Sequence, residues 1–254
     1  MYHLKVLETE HYTERLFRFR IERPDAFRFR SGEFVMIGLP QGSGKPLMRA
    51  YSIASPAWEA NLEFYSIKIR GGPLTSRLQK TRVGDEIVMG KKPTGTLVLD
   101  ALRPGKRLWM VATGTGFAPF ASLIRDPEVY EQFDEVIITH SCREVAELTY
   151  GQNLVAETRH HDILGEFAAP KLRYFASTTQ EVSPNQGRIT TLIENGQLFA
   201  RLGVPAWNPA VDRVMICGSL GLCKDVAALA KQAGLAEGAN ARPGDFVLER
   251  AFVD

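Results

Sequence analysis

The sequence predicts a two-domain chain: a small antiparallel six-stranded β-barrel over residues 1–103, then an α/β domain with a parallel sheet over residues 104–254. Short alternating or apolar segments separated by Gly- and Pro-rich turns predict the barrel. Past residue 104, strand-like runs alternate with helical ones, which predicts parallel strands with helices on both faces. The third observation is Leu108-Trp-Met-Val-Ala-Thr-Gly-Thr-Gly-Phe-Ala-Pro-Phe120, an apolar strand that passes through a Gly-rich turn into a helix. Such a turn lets backbone N–H groups approach a diphosphate, since glycine has no Cβ in the way and a helix N-terminus favours negative charge. The same pattern also serves as a plain tight connection, so alone it is a weak pointer.

In the first half the strand candidates are His3–Thr9, Leu16–Glu22, Phe34–Leu39, Ala50–Ile53, Leu62–Ile69, Glu86–Met89 and Thr96–Leu99. Turn residues separate them at Arg23-Pro24-Asp25, Ser31-Gly32, Gln41 to Pro46, Gly71-Gly72-Pro73, Val83-Gly84-Asp85 and Lys92-Pro93-Thr94-Gly95. A helical insertion is expected at Pro73–Lys80, where Leu74 and Leu78 share a face. Leu102-Arg-Pro-Gly105 marks the boundary. Beyond it, strands are expected at Leu108–Ala112, Glu135–His140, Leu172–Phe175, Val211–Cys217 and Phe246–Glu249. Helices are expected at Phe117–Arg125, Ala146–Thr158, Ile189–Glu194 and Leu220–Ala233.

Composition narrows the function. No run of 18 apolar residues exists and the N-terminus lacks a signal-peptide pattern, so a cytoplasmic protein off the membrane is expected. Three cysteines (Cys142, Cys217, Cys223) without a CxxC pair argue against a disulfide framework, a metal site or an iron–sulfur cluster. Residues 1–103 carry a net charge of +6 and residues 104–254 a net of −4. A basic front half can steer an acidic partner, although a solvated mixed surface fits the counts as well. There is no long basic run, and nucleic acid is not expected.

Arg49-Ala50-Tyr51-Ser52 places a guanidinium, an aromatic ring and a hydroxyl on one strand of alternating direction. These groups suit a diphosphate, a flat ring and a ring nitrogen in turn, though an ordinary barrel strand reads the same way. The Arg-x-Tyr-Ser pattern resembles the flavin-binding signature of the ferredoxin–NADP reductase superfamily. Phe64-Tyr65-Ser66-Ile67-Lys68 is similar to the family strand beneath the flavin. Gly72-Pro73-Leu74-Thr75-Ser76-Arg77 is similar to its short helix at the FAD diphosphate. The order of elements matches over nearly the whole chain, including Lys92-Pro-Thr-Gly-Thr96 and the Gly-Thr-Gly-Phe-Ala-Pro turn. The C-terminal Val247-Leu-Glu-Arg-Ala-Phe-Val-Asp254 resembles that of the bacterial ferredoxin (flavodoxin)–NADP reductases.

The resemblance implies a non-covalent FAD, with NADP(H) as substrate. Thr113, Gly114, Thr115 and Gly116 would meet the NADP diphosphate, with Thr115 also near the flavin. Arg143 in His140-Ser-Cys-Arg143 and Arg188 in Gln186-Gly-Arg188-Ile-Thr190 would clasp the 2′-phosphate, with Thr179 nearby; as surface arginines they would bind nothing. Gln180 stands where several relatives carry a further arginine, which softens the expected preference for NADP. Cys217 and Gly218 would orient the nicotinamide, whereas the residues alone suit a small buried hydrophobe equally well. By the same resemblance Ser52 would tune flavin N5, Glu249 would stand near the site as a proton relay, Ala251 would lie against the flavin, and Phe252 to Asp254 would reach the adenine.

The expected enzyme passes hydride between nicotinamide C4 and flavin N5, and single electrons between FAD and an acidic ferredoxin or flavodoxin. A monomer is expected. A free-flavin reductase or oxygenase-component reductase on the same fold remains an alternative, as does a flavin-binding sensor without turnover.

Overall fold

The computed structural model describes residues 1–42 and 44–250. Six antiparallel strands come first: β1 (Tyr2–His11), β2 (Leu16–Glu22), β3 (Phe34–Gly38), β4 (Met48–Ser52), β5 (Asn61–Ile67) and β6 (Glu86–Met89), in the order β4-β3-β6-β1-β2-β5. Alternation drives the packing of β2, where Phe17, Phe19 and Ile21 all point into the core. Phe19 stacks on its register partner Phe64 of β5, with centroids 5.2 Å apart. The sheet edges approach as in a barrel: Tyr51 of β4 and Ser66 of β5 hydrogen-bond through their hydroxyls at 3.2 Å, and no backbone ladder joins these strands among the described residues.

Residues 62 to 66 of β5 are buried on both faces. Leu62 and Phe64 pack inside the barrel, while Glu63 and Tyr65 face the second half of the chain. That second half holds a parallel sheet of β7 (Arg107–Thr113), β8 (Glu135–Cys142), β9 (Leu172–Thr178), β10 (Asp212–Gly218) and β11 (Phe246–Arg250), in the order β11-β10-β7-β8-β9. Strand β7 is buried from Arg107 to Ala112, which explains its nearly continuous apolar run. The strand order reverses direction between β7 and β10, and their carboxyl ends frame the crevice where open α/β sheets bind ligands.

The helices are α1 (Thr75–Leu78), α2 (Ala118–Leu123), α3 (Pro127–Gln132), α4 (Thr149–His160), α5 (Leu164–Lys171), α6 (Ile189–Glu194), α7 (Gln197–Leu202) and α8 (Leu220–Gln232). None is long and apolar enough to cross a membrane. Three of them, α3, α5 and α7, lie outside the sequence expectation. The start of α3 carried a signal: Asp126 accepts a hydrogen bond from the Glu128 N–H at 3.1 Å, and Pro127 occupies the first turn. Pro170 obscured α5, and α7 is a short helix between Gly196 and Gly203, both at positive φ.

Thr96–Leu99 corrects the sequence reading. It is not a strand: an isolated bridge joins Phe34 to Thr94, and a 3-10 turn covers Leu99–Ala101. Leu97 and Val98 are apolar because they are buried between the two sheets. Thr96 bonds the carboxylate of Glu249 through its backbone N–H, and its hydroxyl lies 3.1 Å from the Leu248 carbonyl.

Polar contacts fix one sheet against the other. Glu63 accepts from Arg18 of the barrel at 3.0 Å, and from Arg125 at 3.2 Å and Tyr150 at 2.6 Å across the interface. Although burial opposes its charge, Arg125, the Tyr150 hydroxyl and Arg18 together hold its carboxyl below the usual range. Ser31 donates to Asp126 at 2.6 Å, and Ser122 donates to the Ser55 carbonyl at 2.7 Å. These bonds tie the two halves to each other across their interface.

Candidate functional site

A cleft of about 630 Å³ lies between the two halves, a size suited to a cofactor-scale ligand. One wall is β4, which contributes Arg49, Ala50, Tyr51 and Ser52; Tyr65 and Ser66 of β5 continue it. The loop before α1 adds Gly72, Pro73, Leu74 and Thr75, and Thr115 closes the opposite side. Three separated stretches of the chain thus meet in one place. Met36, Met48, Ile69, Ala118 and Arg250 also line the cleft. Sequence reasoning missed them because only the fold brings β3 and α2 to this wall, and Met48 and Arg250 flank the named residues without a motif of their own.

The wall fits a flat polar ring system. The Tyr51 phenol is held by Ser66, and burial pushes its pKa up, so it stays a neutral, fixed surface. Tyr65 stacks on Tyr150 at 4.2 Å, which fixes this side of the wall, and its hydroxyl is buried away from the cleft, toward Cys142 and Tyr174. The α1 loop is shaped by Gly72, where a Cβ would stand 2.6 Å from the Thr75 hydroxyl oxygen. The Ser76 and Arg77 N–H groups donate to the Gly72 and Leu74 carbonyls at 3.2 and 3.0 Å, which leaves those of Leu74 and Thr75 without a backbone acceptor among the described residues. These features suit the isoalloxazine and diphosphate of FAD. Three of the expected flavin residues do not line the cleft: Ile67, Lys68 and Ser76. Lys68 instead donates to the Thr13 carbonyl at 2.8 Å. Ala251, Phe252 and Asp254 lie outside the described residues.

The second part of the site is the Gly-rich turn. Thr113 ends β7, and Gly114–Phe117 forms a 3-10 turn that leads into α2. Gly114 has φ 51°, the left-handed region that favours glycine. Gly116 packs on β10 so closely that a Cβ would fall 2.2 Å from the Cys217 carbonyl oxygen. Gly218 returns the contact, since a Cβ there would fall 2.3 Å from Thr113 Oγ1. The two strand ends therefore touch through glycines on both sides. Cys217 is buried, and burial above all pushes its thiol pKa well up, with the nearby Glu249 charge adding to it, so it is a packing and positioning group and no thiolate.

The third part lies at the carboxyl ends of β8 and β9. The Arg143 carbonyl accepts from the N–H groups of Gln180 and Glu181 at 3.0 and 3.1 Å, and Thr179 N–H donates to the Cys142 carbonyl at 2.9 Å. Thr178 bridges to Gln186 and accepts from the Gly187 N–H at 2.8 Å, which brings Arg188 to the same edge. Arg143, Gln180 and Arg188 are all exposed.

Glu249 of β11 sits beside Cys217 in register and is mostly buried. Burial pushes its carboxyl up to about 6, with the charge of Glu33 adding to the shift and hydrogen bonds from Thr96 and Leu97 opposing it. The fold therefore holds the proton more tightly than the unfolded chain. The carboxyl's contribution to stability is complete below its ordinary value of 4.5, falls as pH rises toward about 6, and levels off above. Glu249→Gln is expected to be about 2 kcal/mol more stable than the parent at pH 8 and equal to it near pH 4. Urea midpoints at the two pH values measure this, and a difference independent of pH would contradict it.

The oxidoreductase FAD-binding domain family matches residues 3–99. A flavodoxin/ferredoxin–NADP reductase of Rhodobacter capsulatus is 56% identical over 98% of this chain and 92% of its own. A ferredoxin–NADP reductase of Azotobacter vinelandii is 48% identical over 98% of this chain and 97% of its own. In three dimensions, a ferredoxin NADP+ reductase from Neisseria gonorrhoeae with bound FAD and NADP superposes with a TM-score of 0.89 at 32% identity, covering 99% of this chain and 98% of that one. With the flavin-shaped cleft, the glycine turn and the arginine edge in that order along it, the chain belongs to the ferredoxin/flavodoxin–NADP reductase family.

Proposed function

We propose that the protein is an FAD-dependent reductase that moves electrons between NADP(H) and a ferredoxin or flavodoxin. The observation that carries this reading is the meeting of the Arg49–Ser52 strand, the Gly72–Thr75 loop and Thr115 around one cleft. Bound FAD would supply the redox chemistry, exchanging hydride with nicotinamide and single electrons with the carrier.

The chain's residues bind and orient. Tyr51 packs on the flavin ring, Ser52 donates a hydrogen bond at the ring edge, and Arg49 with the first turn of α1 neutralises the diphosphate. Thr113, Gly114 and Gly116 hold the NADP diphosphate, and Arg143, Thr179 and Arg188 hold its 2′-phosphate. Cys217 and Gly218 set the depth of the nicotinamide, where a misplacement of about 1 Å costs roughly a hundredfold in rate. Glu249 keeps a proton near this position at mildly acidic pH. Ala251, Phe252 and Asp254 would complete the flavin site from the tail. The positive half of the chain, net +6 over residues 1–103, favours an acidic carrier. We take the protein to act as a cytoplasmic monomer.

The test is carrier-dependent electron transfer. With NADPH, the FAD-loaded protein should reduce a ferredoxin or flavodoxin, and added salt should slow the transfer by raising the carrier's KM. Rapid NADPH-driven reduction of free flavin, with no gain from any carrier, would contradict the assignment and favour the free-flavin reductase.

A further inference from the structure

The Gly-rich turn is gripped from behind by a side chain of the neighbouring strand. His140 lies beside Ala112 in the β7–β8 register and is fully buried. Its ring stacks on Phe117, with centroids 4.7 Å apart and planes 29° from parallel. Its Nε2 lies 3.0 Å from the Gly114 carbonyl oxygen, and its Nδ1 lies 3.0 Å from the Tyr174 hydroxyl. One imidazole therefore touches both ends of the four-residue turn.

The partners determine the tautomer. A carbonyl only accepts, so Nε2 carries the hydrogen. Burial pushes the imidazole pKa down to about 4, so the ring is neutral at working pH. Nδ1 is then a lone pair that accepts from Tyr174. The Cys142 sulfur, 3.3 Å from Nε2, shares the same hydrogen, and burial above all keeps it a thiol, with a pKa pushed up to about 12. Helix α4 closes over the pair at Gly151, where a Cβ would stand 2.7 Å from Nδ1 and 2.9 Å from the Tyr174 hydroxyl oxygen. No side chain fits there while the histidine and tyrosine stay in place.

Peptide planarity turns this grip into aim. The Gly114 carbonyl and the Thr115 N–H belong to one trans peptide plane and point in opposite directions. Anchoring the carbonyl on His140 points the Thr115 N–H away from β8, and Thr115 itself lines the cleft. Gly114 sits at φ 51°, a region with little steric restraint for glycine, so the backbone alone would not fix that plane.

We infer that His140, its tautomer set by the Gly114 carbonyl and its ring held by Tyr174, is a positioning residue that aims the Thr115 N–H at the diphosphate of the bound nucleotide. This rests on the nucleotide assignment made above. His140 touches no reacting atom. It acts through the turn.

The test measures NADP+ and adenosine 2′-monophosphate binding to the FAD-loaded protein by calorimetry. The second probe carries the 2′-phosphate and no diphosphate, so it reads the arginine edge alone. His140→Leu should weaken NADP+ about tenfold, the effect of one lost hydrogen bond to a charged ligand, and leave adenosine 2′-monophosphate within about twofold. His140→Gln, whose amide can donate to Gly114, should recover most of the loss. Tyr174→Phe removes the bond that holds the ring at Nδ1 and should weaken NADP+ by a few-fold, and it carries the test if His140→Leu does not fold. Equal weakening of both probes, or unchanged NADP+ affinity in the variants, would overturn the inference. Parent protein that binds NADP+ no better than adenosine 2′-monophosphate would instead overturn the diphosphate assignment, and the inference with it.

Discussion

Replacing Arg143 and Arg188 together by alanine is expected to lower kcat/KM for NADPH by about a hundredfold or more, with NADH turnover unchanged to within about twofold. Each charge-assisted contact to a phosphate contributes roughly 1.5–3 kcal/mol, and two such contacts multiply. The fold puts both arginines at one edge: Arg143 follows β8, and Arg188 arrives through the pairing of Gln186 with Thr178 at the end of β9. Both side chains are exposed, as a site for a phosphate in solution requires. Carboxylates close by limit the gain. Glu147 accepts from the Arg143 backbone N–H at 2.9 Å, and Glu181 accepts from the Val145 N–H at 2.7 Å. Gln180 adds a hydrogen-bonding group without charge. Steady-state kinetics with both nucleotides at low and high salt measure the effect, and parallel losses for NADPH and NADH would show that the arginines do not read the 2′-phosphate.

Gly116→Ala is expected to slow flavin reduction by NADPH at least about a hundredfold while the FAD spectrum stays in place. The new Cβ would meet the Cys217 carbonyl oxygen at 2.2 Å, its carbon at 2.6 Å and Gly218 Cα at 2.8 Å, all of them backbone atoms in a packed strand. Nothing there can swing aside. The turn and the end of β10 must separate, and with them the groups that hold diphosphate and nicotinamide. Gly114→Ala makes the instructive contrast. A Cβ at Gly114 meets nothing within 4 Å, so its cost is the backbone strain of a left-handed alanine, about 1–2 kcal/mol. Stopped-flow reduction of the two variants separates these cases. Parent-like rates in Gly116→Ala would mean that the close approach of β7 and β10 is irrelevant to catalysis.

Local patterns made most of the fold legible. Strand β2 announces itself by alternation and β7 by a continuous apolar run, because one is half-covered and the other is covered on both faces. The Gly114 and Gly116 turn was legible for the same reason: a residue type is forced by a local geometry. The apolar stretch at Thr96–Leu99 misled, since burial between two sheets and burial within a sheet select the same side chains. The cleft itself was legible only in pieces. Tyr51, Ser52 and Thr75 could be named from their motifs. Met36 could not, because nothing near it in sequence shows that β3 shares a wall with β4 and β11, and Met48 and Arg250 sit beside named residues without a motif of their own. His140 is the sharpest case: its partners Gly114, Phe117 and Tyr174 come from a turn and one other strand.

The central claim is that the cleft and the crevice work as one site, with nucleotide on one side and flavin on the other. Anaerobic mixing of the FAD-loaded protein with NADPH, and separately with NADH, tests it most directly. The account predicts that NADPH bleaches the flavin bands in the blue and near-UV rapidly, and that NADH does so far more slowly. A flavin that stays oxidised with both nucleotides would contradict it, leaving a fold that binds FAD without the transfer this geometry is built to perform.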